Sequence, residues 1–329
     1  MSKIPFYDDR YVSSSNRKAE TDGEVNTANP VEIYKYLLRY VYKQDEYCRN
    51  AAMILYEHLR GITSRNIVCG PSGCGKTYVW DILKKIFSRI IVVNAANLSK
   101  DGWSGGKKVL DFLNEVDFQE QDCIVVFDEF DKCATPQYTS HHENTSATIQ
   151  SEFLKLVEGE RIRRKRGPEE VIIDTSLMTF VFCGSFAQKA ESIAQSKSTS
   201  GFGFGNEKKE CASFESELTV NDLMEFGVIR ELASRCTRLI NVRPLTLDDY
   251  EFLVTEHTGS PIKMLEKKYG MHFEISKKQK REIARNAFES GLGVRNVTAQ
   301  IQRMMDDRIF DMFENGEDPH KVVHAAKNR

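Results

Sequence analysis

One octapeptide, Gly70-Pro71-Ser72-Gly73-Cys74-Gly75-Lys76-Thr77, constrains this chain more than any other stretch. It meets the pattern GxxxxGK(S/T) at every fixed position. Glycines at these places let successive backbone N–H groups turn inward on an anion, and a following helix adds the positive end of its dipole. The arrangement works only between a strand and a helix. The flanks comply, with a short apolar run at Asn66–Cys69 and a helical pattern over Lys76–Ser88. At ordinary residue frequencies such a match arises by chance in roughly one chain in a hundred of this size. The chain is therefore expected to bind ATP, with Lys76 on the β/γ-phosphates and Thr77 on Mg2+.

About fifty residues later, Ile124-Val125-Val126-Phe127-Asp128-Glu129 is an apolar strand ending in two acids. Strands often end in acids at solvent. At this distance from a phosphate loop, however, Asp128 is expected to hold magnesium through water and Glu129 to polarise an attacking water. Binding and hydrolysis of ATP are both expected.

Around these motifs, β-rich apolar runs at Asn66–Cys69, Ile90–Asn94, Cys123–Phe127 and Met178–Cys183 alternate with helical stretches at Lys76–Ser88 and Gly106–Val116. Leu239–Val242 reads as a fifth strand, after a helical stretch at Asn221–Arg235. Apolar runs separated by helices predict an α/β fold with a parallel five-stranded sheet buried on both faces. Pro244 breaks the chain, and helical segments follow at Leu247–Glu256, Pro261–Tyr269, Lys277–Glu289 and Val294–Phe313. The expected division is a polar, flexible leader over residues 1–29, a large domain over 30–243 and a small, mainly helical domain over 244–329.

With 40% apolar and 29% charged residues and a formal charge of −2, the composition fits a globular protein and argues against bulk attraction to nucleic acid. No apolar run approaches the length of about eighteen residues that a membrane span needs, and the N-terminus lacks the apolar stretch of a signal peptide. The eight cysteines include no Cys-x-x-Cys pair, so no structural zinc module is expected. Their scatter through apolar runs fits free thiols and a cytoplasmic location. His141-His142 lacks the helical spacing of a metal pair and is assigned none.

Past Glu129 the chain continues Phe130-Asp131-Lys132, so the strand end reads DEFDK. This resembles the DEIDK of the ClpX subfamily of AAA+ protein unfoldases, and the likeness runs from about Pro30 to the last long helix. The resemblance implies a AAA+ P-loop NTPase that uses ATP and Mg2+. It also implies a homo-hexameric ring that threads protein substrates through an axial pore and delivers them to a ClpP-like peptidase. Tyr40-Val41-Tyr42-Lys43-Gln44 resembles the family's YVIGQ, which gives Val41 and Tyr42 the role of packing on adenine. Phe226-Gly227-Val228-Ile229-Arg230-Glu231-Leu232-Ala233-Ser234-Arg235 resembles FGLIPEFIGR. Arg235 is then the finger that reaches a neighbouring subunit's nucleotide. Gly293-Val294-Arg295 is similar to the family's GLR, which places Arg295 against the phosphates. As an ordinary helix-start residue, Arg295 would sit at the unfavourable end of the dipole. Cys183-Gly184-Ser185-Phe186-Ala187 falls where the family has CGGAF but is one residue shorter, with Ser185 the candidate phosphate-sensing polar group.

Three segments are expected to meet other proteins. Gly102-Trp103-Ser104-Gly105 stands where ClpX-type proteins carry GYVG, so Trp103 is the expected pore-loop grip. The basic run Arg161–Arg166 reads as an exposed loop, and the resemblance makes Arg163 and Arg164 part of a collar at the pore mouth. Gly201-Phe202-Gly203-Phe204-Gly205 aligns with the family's GIGFG peptidase-docking stretch, so Phe202, Gly203 and Phe204 are the expected docking residues. The family's N-terminal zinc domain has no counterpart here, and delivery of substrates by that domain is not expected. Alternatives are a stand-alone protein remodeller with the same motor, a nucleic-acid-associated motor, and a regulatory ring with weak turnover. The GWSG segment disfavours the second, and the intact Asp128-Glu129 pair the third.

Overall fold

β-branched and aromatic runs form strands here because both of their faces are covered. β1 (Arg65–Cys69), β2 (Ile90–Asn94), β3 (Ile124–Asp128), β6 (Thr179–Gly184) and β7 (Arg238–Asn241) form a five-stranded sheet in the order β2-β3-β6-β1-β7. All neighbouring pairs are parallel. The structure, a computed structural model, describes residues 25–99, 108–138, 144–166, 169–187, 189–190, 192–193, 217–255, 257 and 259–316.

Because successive strand residues point to opposite faces, the sheet divides two cores. Ile67, Val125, Phe127, Phe180 and Phe182 face one side, where Phe130 and Phe153 complete a buried aromatic cluster. Val68, Ile124, Val126, Val181 and Ile240 face the other, under α1 (Pro30–Leu38), α2 (Asp45–His58) and α3 (Tyr78–Leu83). α1 begins where Asn29 accepts a hydrogen bond from Val31 N at 2.9 Å and Pro30 fills the first turn. The aromatic face is covered by α4 (Phe130–Ala134), α5 (Thr145–Glu158), α6 (Val220–Phe226) and α7 (Arg230–Arg235). The parallel five-stranded sheet is as expected.

Several details differ from the sequence reading. The helical stretch expected over Gly106–Val116 is only a 3₁₀ segment, Val109–Asn114, among the described residues. The stretch expected as one helix over Asn221–Arg235 is two, because Gly227 at φ +130° lies so close to α4 that a Cβ would come within 2.3 Å of Ala134 O. α5, capped by Asn144 and ended by Gly159 at φ +84°, was not anticipated at all. The basic run is not a loop but strand β4 (Arg161–Arg166), antiparallel to β5 (Glu169–Asp174). The register sets Lys165 opposite Glu170, and Arg161 bonds Asp174 at 3.1 Å, so the acidic strand offsets the basic one.

Beyond β7, α8 (Leu247–Thr255), α9 (Pro261–Tyr269), α10 (Lys277–Glu289) and α11 (Val294–Glu314) enclose a third core around Tyr250, Val254, Ile283, Val297 and Ile301. Ser260 caps α9, and Ser276 with Gln279 forms a reciprocal capping box at α10.

Candidate nucleotide site

β1 runs out between β6 and β7, and the chain leaves the sheet in a pinched turn. Gly70 N donates to Gly184 O at 3.3 Å, and a Cβ on Gly70 would stand 2.7 Å from Val242 O. Gly73 and Gly75 follow at φ +73° and +92°, left-handed conformations open to glycine at little cost. Apart from its chain neighbours, no atom lies within 4 Å of where a Cβ on Gly75 would project. Lys76 Nζ lies across its mouth, donating to Gly70 O at 2.8 Å and Pro71 O at 2.6 Å. Thr77 stands immediately before α3. An open concavity of turned backbone beside an ammonium suits a polyphosphate.

Tyr47, buried on α2, donates its hydroxyl to Lys76 O and so ties the loop to the helix beneath. Burial pushes this phenol well above its ordinary pKa, which keeps the proton on it. Sequence reasoning missed Tyr47, since nothing in its local pattern separates it from a core aromatic.

β3 ends beside the loop with Asp128 half-buried, in register with Asn94. The next residue, Glu129, adopts φ +58° and ψ +33°. A side chain there costs roughly 1–2 kcal/mol, and Glu129 N donating to Asp128 Oδ1 at 3.0 Å helps to hold it. The turn lifts the Glu129 carboxylate to the surface, where it has no hydrogen bond or ion pair among the described residues. The shortened turn after β6 is accommodated by Phe186 at φ +51°, fully buried, whose ring would be 2.5 Å from a Cβ on Gly184. Ser185 lies half-buried between them.

The C-terminal helices reach the loop directly. A Cβ on Gly73 would stand 2.6 Å from Leu292 O, and one on Gly293 would stand 2.6 Å from Gly73 Cα. Two left-handed glycines thus let backbone touch backbone at the start of α11. Ser72, Leu292, Arg295, Asn296, Ala299, Gln300 and Arg303 line a cavity of about 380 Å³ at this contact. Arg295 is exposed there without an ion-pair partner among the described residues. Val41 is buried in the core above α3, while the adjacent Tyr42 ring stacks on Phe252 of α8 at 4.4 Å. Gln44 exchanges bonds of 2.9 and 3.3 Å with the Arg243 backbone.

Arg235 is elsewhere. Thr237 N donates to Arg65 O, which places the end of α7 at the opposite end of β1 from Gly70. The four residue steps of β1 separate its two ends by about 13 Å. There Arg235 donates to Glu231 O at 2.8 Å and pairs with Glu158. The two residues expected in a collar also part company. Arg163 is exposed, whereas Arg164 turns inward and donates to Leu110 O at 2.7 Å. Trp103, Phe202, Gly203, Phe204 and His141-His142 lie outside the described residues.

Residues 66–191 match the family model described as ATPase family associated with various cellular activities (AAA), and residues 245–325 match that of the C-terminal, D2-small domain of ClpB protein. The chain is 25% identical to the ATP-dependent Clp protease ATP-binding subunit ClpX of Treponema denticola, over 92% of this chain and 81% of that one. Its counterpart from Porphyromonas gingivalis is 27% identical over 90% and 80% of the two chains. That from Bacteroides thetaiotaomicron is 26% identical over 89% and 80%.

Proposed function

We propose that this chain, a ClpX-like AAA+ ATPase, assembles into a homo-oligomeric ring that unfolds protein substrates by pulling them through an axial pore. The observation that carries the proposal is the position of Arg235. It stands near the opposite end of β1 from its own phosphate loop and is paired with Glu158, which favours contact with a nucleotide held by another copy. A motor divided in this way turns over only when assembled, as a ring threading a chain requires.

Within one subunit the turned amides of Gly73 to Thr77 and the Lys76 ammonium bind the triphosphate, and Thr77 and Asp128 would hold Mg2+. Val41 and Tyr42 are the proposed packing for the base, and Arg295, which shares a cavity with Ser72, is proposed to reach the phosphates from α11. The metal, when bound, neutralises charge on the phosphate oxygens. Glu129, raised on its left-handed turn, takes a proton from water as the water oxygen attacks the γ-phosphorus and the bond to the β,γ-bridging oxygen breaks. The products are ADP and phosphate. The neighbour's Arg235 offsets negative charge on the transferring group. The Gly73–Gly293 contact joins the phosphate loop to the start of α11.

Trp103 is the proposed grip and Arg163 a collar residue. Arg164 is tied inward and is proposed to brace the hairpin instead. Phe202, Gly203 and Phe204 are the proposed seat for a ClpP-like peptidase, in keeping with relatives that are ATP-binding subunits of a Clp protease. The basic strand lies against an acidic one, which disfavours a nucleic-acid track. No helix among the described residues is long and apolar enough to cross a membrane, and action in the cytoplasm is proposed.

ATP-driven loss of fluorescence from a tagged, folded fluorescent protein tests the reading. Wild type is expected to unfold it, while Trp103→Ala keeps ATPase and loses unfolding. Equal unfolding by both proteins would remove the pore assignment. Phe202→Ser with Phe204→Ser should spare unfolding and abolish capture of a peptidase. Failure of wild type to capture one would favour the stand-alone remodeller.

A further inference from the structure

Arg235 is mounted rather than loose. It ends α7 and lends one donor to Glu231 O, at 2.8 Å, and another to the Glu158 carboxylate. A guanidinium has five N–H donors, so three stay uncommitted among the described residues. The side chain is still 39% exposed. An arginine fixed along part of its rim and open along the rest is prepared to receive an anion from outside the chain.

Glu158 explains the mount. As the last residue of α5, it carries a negative charge at the negative end of the helix dipole, where a cation is preferred. Capping does not require it. Gly159 N donates to Leu156 O at 3.2 Å, and Arg65 Nε serves Val157 O at 3.0 Å. Stability does not require it either, because a pair with both side chains about two-fifths exposed contributes little in water. A locally unfavourable residue with no role in stability is where function tends to reside.

We infer that Glu158 is a positioning residue. It aims the Arg235 guanidinium at the nucleotide of the neighbouring subunit and so sets how much of each ring contact becomes turnover. The inference rests on the ring reading above. Its chemistry is orientation alone: Glu158 touches neither substrate nor water, and no bond forms or breaks at it.

The test uses the full chain, at saturating ATP, as wild type, Arg235→Ala, Glu158→Gln, Glu158→Asp and the double variant Arg235→Ala/Glu158→Gln. Glu158→Gln is expected to lower kcat roughly tenfold, the loss for one orienting charge-assisted hydrogen bond. KM for ATP, ring formation and melting temperature should stay as in wild type. Glu158→Asp should recover part of the loss, and the double variant should match Arg235→Ala alone. Unchanged kcat in Glu158→Gln overturns the inference. So does a fall in kcat that tracks a fall in ring formation or melting temperature, since the pair would then be structural. If Arg235→Ala keeps full activity, the assignment of the finger fails. If Arg235→Ala is inactive and Glu158→Gln is normal, only the positioning role fails.

Discussion

The two strand-end edges of the central sheet, one where its parallel strands begin and one where they finish, are built by different means. At the edge where β1 and β3 end, the working parts are backbone: left-handed Gly73, Gly75 and Glu129, and Gly73 laid against Gly293. At the opposite edge side chains do the joining. Glu158 pairs with Arg235, Glu57 bonds Arg238 at 2.6 Å, and His58 Nδ1 lies 3.0 Å from Thr179 Oγ1. A backbone site holds any anion of the right shape, and its position is fixed by the sheet. A side-chain edge carries charges that a neighbouring subunit can meet. In the proposed ring, the same sheet would offer a pocket on one side and, on the other, an arginine for another subunit's pocket.

The largest effect is expected from removing chemistry at the pocket edge. Glu129→Gln should retain ATP binding and lower kcat by about a hundredfold or more, because an amide does not accept the proton. Lys76→Ala should instead weaken nucleotide binding, read from titration with a fluorescent analogue. Normal steady-state ATPase in Glu129→Gln would detach Glu129 from the chemistry.

Close backbone approach is the next test. Gly293→Ala must place a methyl group 2.6 Å from Gly73 Cα, and Gly61→Ala at φ +76° meets no atom within 4 Å. The first should cost on the order of 1–3 kcal/mol more than the second in urea unfolding, as overpacking does, and should raise KM for ATP. Equal costs would mean that only backbone strain matters there. Tyr47→Phe, which removes the hydroxyl bonded to Lys76 O, should cost about 1 kcal/mol. A melting curve identical to that of wild type would show that bond to be incidental.

The smallest effect tests the side-chain edge. Burial lowers the His58 pKa from 6.5, outweighing the Asp122 carbonyl and carboxylate nearby, which act to raise it, while Arg89 lowers it further. The folded chain resists a proton that the unfolded chain accepts. The contribution of His58 to stability is therefore complete above about pH 6.5 and is lost as pH falls through the depressed folded value. Burial acts in the same direction on His257, so some slope remains without His58. Urea midpoints should fall between about pH 7.5 and pH 5.5, and less steeply in His58→Gln. Parallel slopes would show that His58 titrates as if exposed.

The pocket edge was legible because its residues are contiguous. Gly70 to Thr77 and Ile124 to Glu129 each carry their geometry in one stretch, and the five apolar runs became the five strands. The far edge was not legible, because Glu158 and Arg235 lie 77 positions apart and meet only after α5 and α7 pack. Tyr47 and Gly293 were hidden for the same reason, since each acts through a contact across the fold. The hairpin was misread because alternation was masked. β4 alternates exposed Arg161, Arg163 and Lys165 with partly buried Ile162 and Arg164, and an inward arginine looks like any other in a basic run.

The central claim, that one subunit's far edge completes the next subunit's pocket, is tested most directly by mixing. Glu129→Gln subunits keep Arg235, and Arg235→Ala subunits keep Glu129, so each is expected to be nearly inactive alone. In mixed rings some interfaces join an intact glutamate to an intact arginine. ATPase activity should reappear on mixing and rise with the fraction of such interfaces. Mixed rings that demonstrably form yet hydrolyse no more ATP than the separate parents would contradict the account.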